Sequence, residues 1–327
     1  GMMKRNIAWI VALCLCCGAA GYLLRGVRRT DKQMPSAAST VPVTQTERQT
    51  AETTPVSFDR TLTLRLLTDD GVREISLHDY LVGVLAAELP SDFPTEALRA
   101  QAVASRTFAL RKAAANKHTG ADVCASAACC QGWREERDAA FEAAVSTTDG
   151  LVLTYDGALI DATFFSSAAG RTEAAVAVWG GEVPYLQSVD SPEDTPYAAQ
   201  SECIDAQTFA DTLTAAHPEL SLSGAPETWF GAVERSTGGG IARIKIGGQW
   251  IAGTELRRLF SLRSTDMELV PLTDGVQITT HGYGHRVGMS QYGARTMALQ
   301  GSDFEEILLH YYSGARIEQL RRTESVS

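Results

Sequence analysis

The chain has 327 residues, 44% hydrophobic and 21% charged, with a formal net charge of −10. That composition is ordinary for a globular protein, so collagen-like and wholly disordered classes are excluded, and the length suits two domains or one large one. The acidic balance argues against general nucleic-acid binding by the chain as a whole.

The charge is uneven. Residues 1–29 carry Lys4, Arg5, Arg25, Arg28 and Arg29 and no acid. Residues 1–6 read as a cytoplasmic or tag-derived lead, and residues 7–24 (IAWIVALCLCCGAAGYLL) are an uncharged apolar run. At 1.5 Å per residue such a run just spans a hydrocarbon core. Two readings stand, an uncleaved transmembrane anchor and a cleaved signal peptide. The arginines directly after the run and the lack of a clean A-x-A site favour the anchor. Residues 25–57, rich in Thr, Ser, Gln and Pro from Thr30 onward, show no apolar periodicity and read as a disordered linker.

Residues 58–320 form the expected body, with room for two subdomains, and 321–327 a tail. Arg60 to Leu67 reads as a strand, Thr68 to Gly71 as a turn, and Val72 to Ile75 as a second strand. Helices are expected from Ser76 to Leu89 and from Pro94 to about Asn116. Leu151–Tyr155 and Leu159–Phe165 flank Asp156-Gly157, a hairpin signal. Ile241–Ile246 and Gln277–Thr280 read as strands and Phe304–Tyr312 as a helix. Strands and helices do not alternate regularly, which points to an α+β fold.

The helix SLHDYLVGVLAAELP carries the sharpest chemical signal. Ser76 can cap it, with Asp79 three residues on as in a capping box. Leu81, Val84 and Leu85 form an apolar stripe, and Glu88, seven residues after Leu81, falls on the same stripe. Pro90 ends the helix. A carboxylate there meets desolvation and the negative end of the helix dipole, and both favour the protonated acid that general-acid catalysis needs. The competing reading is a glutamate turned out to solvent in the last turn. On the next helix Arg106 shares a face with Leu98, Ala102 and Ala109. It could hold a carboxylate or sugar substituent, pair structurally, or extend to solvent.

His118, Cys124, Cys129 and Cys130 form H-x5-C-x4-C-C. The set is compatible with a structural tetrahedral zinc, and a disulfide is the alternative. Two further dense motifs are FFSSAAGRTE (164–173) and HGYGHRVGMSQYGA (281–294). Their glycines fit neither the P-loop nor the dinucleotide pattern. Their serines and histidines raise a serine hydrolase, but no G-x-S-x-G elbow exists and no acid is assigned to orient a histidine.

With these motifs the chain closely resembles the stage II sporulation protein D family, peptidoglycan lytic transglycosylases of endospore-forming bacteria. The resembling stretches are YLVGVLAAELPSDFPTEALRAQAVASRTFAL, GRTEAAVAVWGGEVPYLQSVDSPED, GTELRRLFSLRSTDM and GYGHRVGMSQYGA with its trailing HYYSGA. The resemblance implies a membrane-anchored enzyme whose body lies outside the cytoplasm, facing the intermembrane space. There it cuts glycan strands during forespore engulfment, after a stage II sporulation protein P-like amidase/endopeptidase has stripped the stem peptides. Glu88 matches the catalytic glutamate of A-A-E-[LM]-P, and Arg106 the arginine of A-x-R-T-[FY]. Substrate contacts are expected at Arg106, Ser167, Tyr283, His285, Ser290 and Gln291. Zinc is expected on His118, Cys124, Cys129 and Cys130, although the family commonly has a His-Cys pair where this chain has Cys129-Cys130. Phe165, Ala168 and Ala169 replace a family His, Ser and Gly, and Arg286 adds bulk and charge to a glycine-rich motif near the expected cleft. Because a related group is described as amidase enhancers, a non-catalytic scaffold that recruits an amidase is the alternative.

Overall fold

A computed structural model describes residues 56–320. The expected anchor, the linker up to residue 55 and the 321–327 tail lie outside the described residues. Among the described residues no helix is long and apolar enough to cross a membrane. Residues 57–320 form one compact unit with an α+β architecture and two apolar clusters.

The larger cluster is helical at its centre. Ser76 caps the Leu77–Glu88 helix by accepting from the Asp79 N–H at 3.0 Å. The helix is buried nearly all round, with Leu81, Val84 and Leu85 fully enclosed. It packs beside the Thr95–Ala114 helix, whose small side chains (Ala97, Ala100, Ala104) permit close approach, and beside Ala139–Thr147. Gln291–Leu299 and Phe304–Tyr311 close the group. Around them lie two three-stranded sheets. In one, Thr63–Thr68 pairs antiparallel with Gly71–Ser76 and parallel with Val123–Cys124. In the other, Leu151–Tyr155 lies between Arg316–Gln319 and Ala158–Leu159. Asp156 (φ 49°) and Gly157 (φ 74°) make the two-residue hairpin turn the sequence signals.

Three expectations shift. Arg60–Leu67 is not one strand: Phe58–Thr61 is a helical turn and the strand begins at Thr63. The cause is distant in sequence. The Asp149 carboxylate accepts from the Phe58 and Asp59 N–H groups and from the Ser57 hydroxyl, which satisfies the first helical donors. The second arm of the Asp-Gly hairpin is only two residues long. Phe164–Phe165 instead pairs in parallel with Met289–Ser290, which stitches the two dense motifs together. Within the glycine-rich motif, Ser290 caps a helix that starts at Gln291.

The smaller cluster spans Gln200–Thr280. It holds two more three-stranded antiparallel sheets, Phe230–Arg235/Ile241–Ile246/Gln249–Ala252 and Met267–Leu272/Gly275–Thr280/Gln200–Asp205. Phe209, from the Ala206–Ala216 helix, stacks on Phe260 and Trp229 at its centre. Glu173 and Arg286 join the clusters. Glu173 accepts from the Ser236 hydroxyl (2.7 Å) and Gly240 N–H (3.0 Å), while Arg286 lies 3.5 Å from Glu173 and 3.4 Å from Asp266. Arg286 is 1% exposed, so its charge serves this junction rather than an open cleft.

Candidate active site

Glu88 is the last residue of its helix, half-buried, where Pro90 forbids continuation. Its surroundings depend on two glycines. Gly83, one turn earlier, lets the Trp133 indole and the Arg134 carbonyl lie against the helix, where a Cβ would come within 2.2 Å of Trp133. The segment that follows the Cys/His loop is thereby brought across the helix end. Gly132 then donates its N–H to Glu88 Oε1 at 3.2 Å. The Gln291 side chain supplies a second hydrogen bond. Burial pushes the Glu88 carboxyl up to about 7, with these two bonds offsetting part of the rise. A group poised there can both give and take a proton near neutral pH.

A groove of about 440 Å³ opens just past the end of the Glu88 helix, with Glu88 itself outside its lining. Its walls are Pro90, Asp92 and Phe93, just past Glu88, together with Asp194, Thr195, Pro196, Tyr292 and Arg295. Tyr292 follows Gln291 directly, so the groove and the Glu88 hydrogen bond share one backbone segment. Phe93 meets Tyr292 edge-on with centroids 5.4 Å apart, Tyr292 meets Tyr197 at 5.6 Å, and Tyr197 stacks on Tyr283 at 5.0 Å. Aromatic faces beside carboxylates and an arginine suit a ligand with apolar ring faces and many hydroxyls.

Comparison with known proteins gives the family. The SpoIID family model, described as stage II sporulation protein, matches residues 68–155, which include Glu88 and the Cys/His loop. Stage II sporulation protein D of Bacillus subtilis is 33% identical over 87% of this chain and 85% of its own length. This chain belongs to the stage II sporulation protein D family. The Bacillus amyloliquefaciens protein of that name is 34% identical over 86% of this chain and 84% of its own. A Bacillus subtilis protein named amidase enhancer is 29% identical over 72% of this chain and 40% of its own length.

In this family member, Arg106 is not a substrate contact, which corrects the expectation. It is fully buried and grips Asp59, with Nε 2.9 and 3.0 Å from the two carboxylate oxygens and Nη2 at 2.5 Å. Its remaining donors reach the Leu151 and Val145 carbonyls. Its face on the helix points into the core toward the capped Phe58–Thr61 turn, and no sequence spacing reveals that. Ser167 and Ser290 are likewise fully buried, so neither faces a glycan. Both hydroxyls donate to Glu193, at 3.0 and 2.6 Å. His285 is wedged between Phe165 and Trp179, its Nδ1 accepting from the Val287 N–H at 3.1 Å. Burial, aided by the Arg257 charge, pushes it down to about 3, so it stays neutral. Tyr283 and Gln291 are the expected contacts that stay near the groove, Tyr283 through Tyr197 and Gln291 through Glu88 and Tyr292.

Sequence reasoning missed Glu193, Asp59 and Gly132. Glu193 lies inside the V-D-S-P-E-D stretch that carries the resemblance, and that is its only signal. Gly132 follows the Cys/His motif by two residues, a spacing without meaning until the loop is folded.

The His118 nitrogens and the Cys124, Cys129 and Cys130 sulfurs come together, with one ligand atom from each within 4.8 Å of the others. His118 Nε2 is 3.3 Å from Cys130 Sγ and 3.6 Å from Cys129 Sγ. A tetrahedral zinc with bonds of about 2.0–2.3 Å separates such ligands by roughly 3.5–3.8 Å, so the four residues fit that ion. All four cysteines of the body are free thiols.

Proposed function

We propose that this chain is a peptidoglycan lytic transglycosylase that uses one carboxyl group twice. Protonated Glu88 donates to the glycosidic oxygen between N-acetylmuramic acid and N-acetylglucosamine. The resulting carboxylate accepts the proton of the muramoyl C6 hydroxyl as that oxygen attacks C1. The bond to the leaving sugar breaks, a 1,6-anhydro ring forms, and no water is consumed. This differs from two-carboxylate glycoside hydrolysis. The observation that carries the reading is a half-buried carboxyl raised to about 7, two residues before the wall of an aromatic-lined groove.

The test is mass spectrometry of denuded glycan strands incubated with the purified protein. The expected product carries 1,6-anhydromuramoyl ends, and Glu88→Gln abolishes it while glycan binding survives. A reducing-end product about 18 mass units heavier, or an active Glu88→Gln protein, refutes the mechanism.

The relative named amidase enhancer favours one alternative, a glycan-binding scaffold that recruits an amidase. Turnover by the purified protein without a partner excludes it. In either case the fitting partner is an amidase or endopeptidase that removes stem peptides. Residues 7–24 would anchor the chain in the membrane, with the body on the extracytoplasmic side.

For the loop, we propose that His118, Cys124, Cys129 and Cys130 hold zinc. Four protein ligands leave no open position, so the ion would supply structural clamping and no Lewis-acid step. Cys130 lies two residues before Gly132, so this clamp would set the N–H that faces Glu88. Metal analysis should find about one zinc per chain, and chelation should lower the melting temperature.

A further inference from the structure

We propose that Glu193 is a positioning residue for the Glu88 site, holding Gln291 in place through the Ser290 hydroxyl. Glu193 lies between two motifs that are far apart in sequence, and its carboxylate is a hub for both. One oxygen accepts from the Ser167 hydroxyl at 3.0 Å and from the Ala169 N–H. The other accepts from the Ser290 hydroxyl at 2.6 Å. Every one of these donors is neutral, and the Arg286 charge acts on the carboxylate only from beyond hydrogen-bond distance.

The proton count at Ser290 makes the hub directional. A hydroxyl has one proton and two lone pairs. The Glu193 oxygen at 2.6 Å takes the proton in preference to the Ser166 carbonyl at 3.4 Å. Both lone pairs then accept, from the Ala168 N–H at 3.3 Å and the Gly293 N–H at 3.2 Å. The Gly293 bond is the cap of the Gln291–Leu299 helix. Glu193 thus orients the cap, and the cap sets the first residue of the helix, Gln291. The Gln291 side chain reaches Glu88 and donates to Gln101 Oε1 at 3.4 Å. The Tyr292 N–H binds the Ser166 carbonyl at 3.0 Å, so the whole turn is fastened to the same motif.

Glu193→Gln keeps the size but replaces one acceptor with an NH₂ donor. If that group faces Ser290, the hydroxyl must turn to Ser166, and the cap loses its orientation. If it faces Ser167 and Ala169, two donors oppose it. Either way the hold on Gln291 slackens.

The kinetic arm of the test rests on the proposed transglycosylase activity; the spectroscopic arm does not. Wild type, Glu193→Gln, Gln291→Ala and the double variant are compared on denuded glycan. Glu193→Gln should lower kcat about tenfold with KM changed less than about twofold. The double variant should be no worse than the weaker single by more than about twofold, because both changes break one chain of contacts. By NMR, the Gln291 side-chain amide signal, identified by its loss in Gln291→Ala, should shift and broaden in Glu193→Gln while the folded dispersion is kept. Should Glu193→Gln fail to fold, Ser290→Ala cuts the same link from its other end and should move the same signal. A raised KM with unchanged kcat, multiplying losses in the double variant, or an unmoved Gln291 signal overturns the proposal. A chain that makes no product but shows the shifted signal keeps the positioning role and rejects the enzyme.

Discussion

Glu88 and Asp59 are two carboxylates of the same apolar cluster with opposite surroundings. Asp59 is fully buried and faces a guanidinium that binds both its oxygens. Glu88 is half-buried, receives one backbone N–H and one side-chain hydrogen bond, and lies two residues before the wall of a groove. Enclosure alone therefore does not make a reactive acid. What separates the two is a counter-charge: Asp59 has one and becomes a structural pin, whereas Glu88 is met by neutral donors and its proton is held to about pH 7.

The strongest way to break this comparison is to remove the counter-charge. Arg106→Ala should destabilise the fold by about 3–5 kcal/mol in urea denaturation, because Asp59 is left buried and unpaired. Replacing Asp59 and Arg106 together with apolar residues of similar volume should cost much less. If both substitutions cost the same, the pair is not what holds this corner.

Glu88→Gln should act in the opposite direction. The Glu88 carboxyl titrates higher in the folded chain than in the unfolded one, so the folded state binds more protons between about pH 4.5 and 7. Stability from this group is full below that window and is lost as pH rises through it. The amide variant escapes the loss. It should match wild type near pH 4 and exceed it at pH 8 by on the order of 1–3 kcal/mol, a range reduced for partial solvent access. A variant less stable than wild type at pH 8 contradicts the assignment.

The same sign governs turnover. Where proton donation limits the rate, activity should fall about tenfold per pH unit above about 7, as the Glu88 acid form disappears. A pH–rate profile measured below the unfolding transition checks this.

Ser76→Ala should have the smallest effect. It removes the cap of the Glu88 helix at the far end from the site and should cost about 1 kcal/mol while leaving kcat close to wild type. A large loss of kcat would mean that the whole helix, and not its last turn, sets the acid.

Much of the site's first element was legible in the sequence. The 3.6-residue period put Glu88 on the stripe of Leu81, Val84 and Leu85, Ser76 announced the start, and Pro90 the end. The hairpin at Asp156-Gly157, the compact Cys/His set and the α+β class were legible for the same reason, since each follows from neighbours a few residues apart. Arg106 shows where that stops. Its helical face was readable, but its partner is 47 residues away and stands on a turn that exists only because Asp149 caps it. The glycine-rich motif showed its open backbone but not the helix inside it, which starts where the Ser290 hydroxyl finds Gly293.

By itself the sequence determined which carboxylate could be pressed into an apolar face, because periodicity and helix stops are local properties of the backbone. Only the tertiary structure decided which carboxylates receive a cation and which receive neutral amides and hydroxyls. Charge compensation depends on atoms within about 4 Å of each other, and folding draws them from segments 24 to 97 residues apart around Glu193 and 47 apart around Asp59.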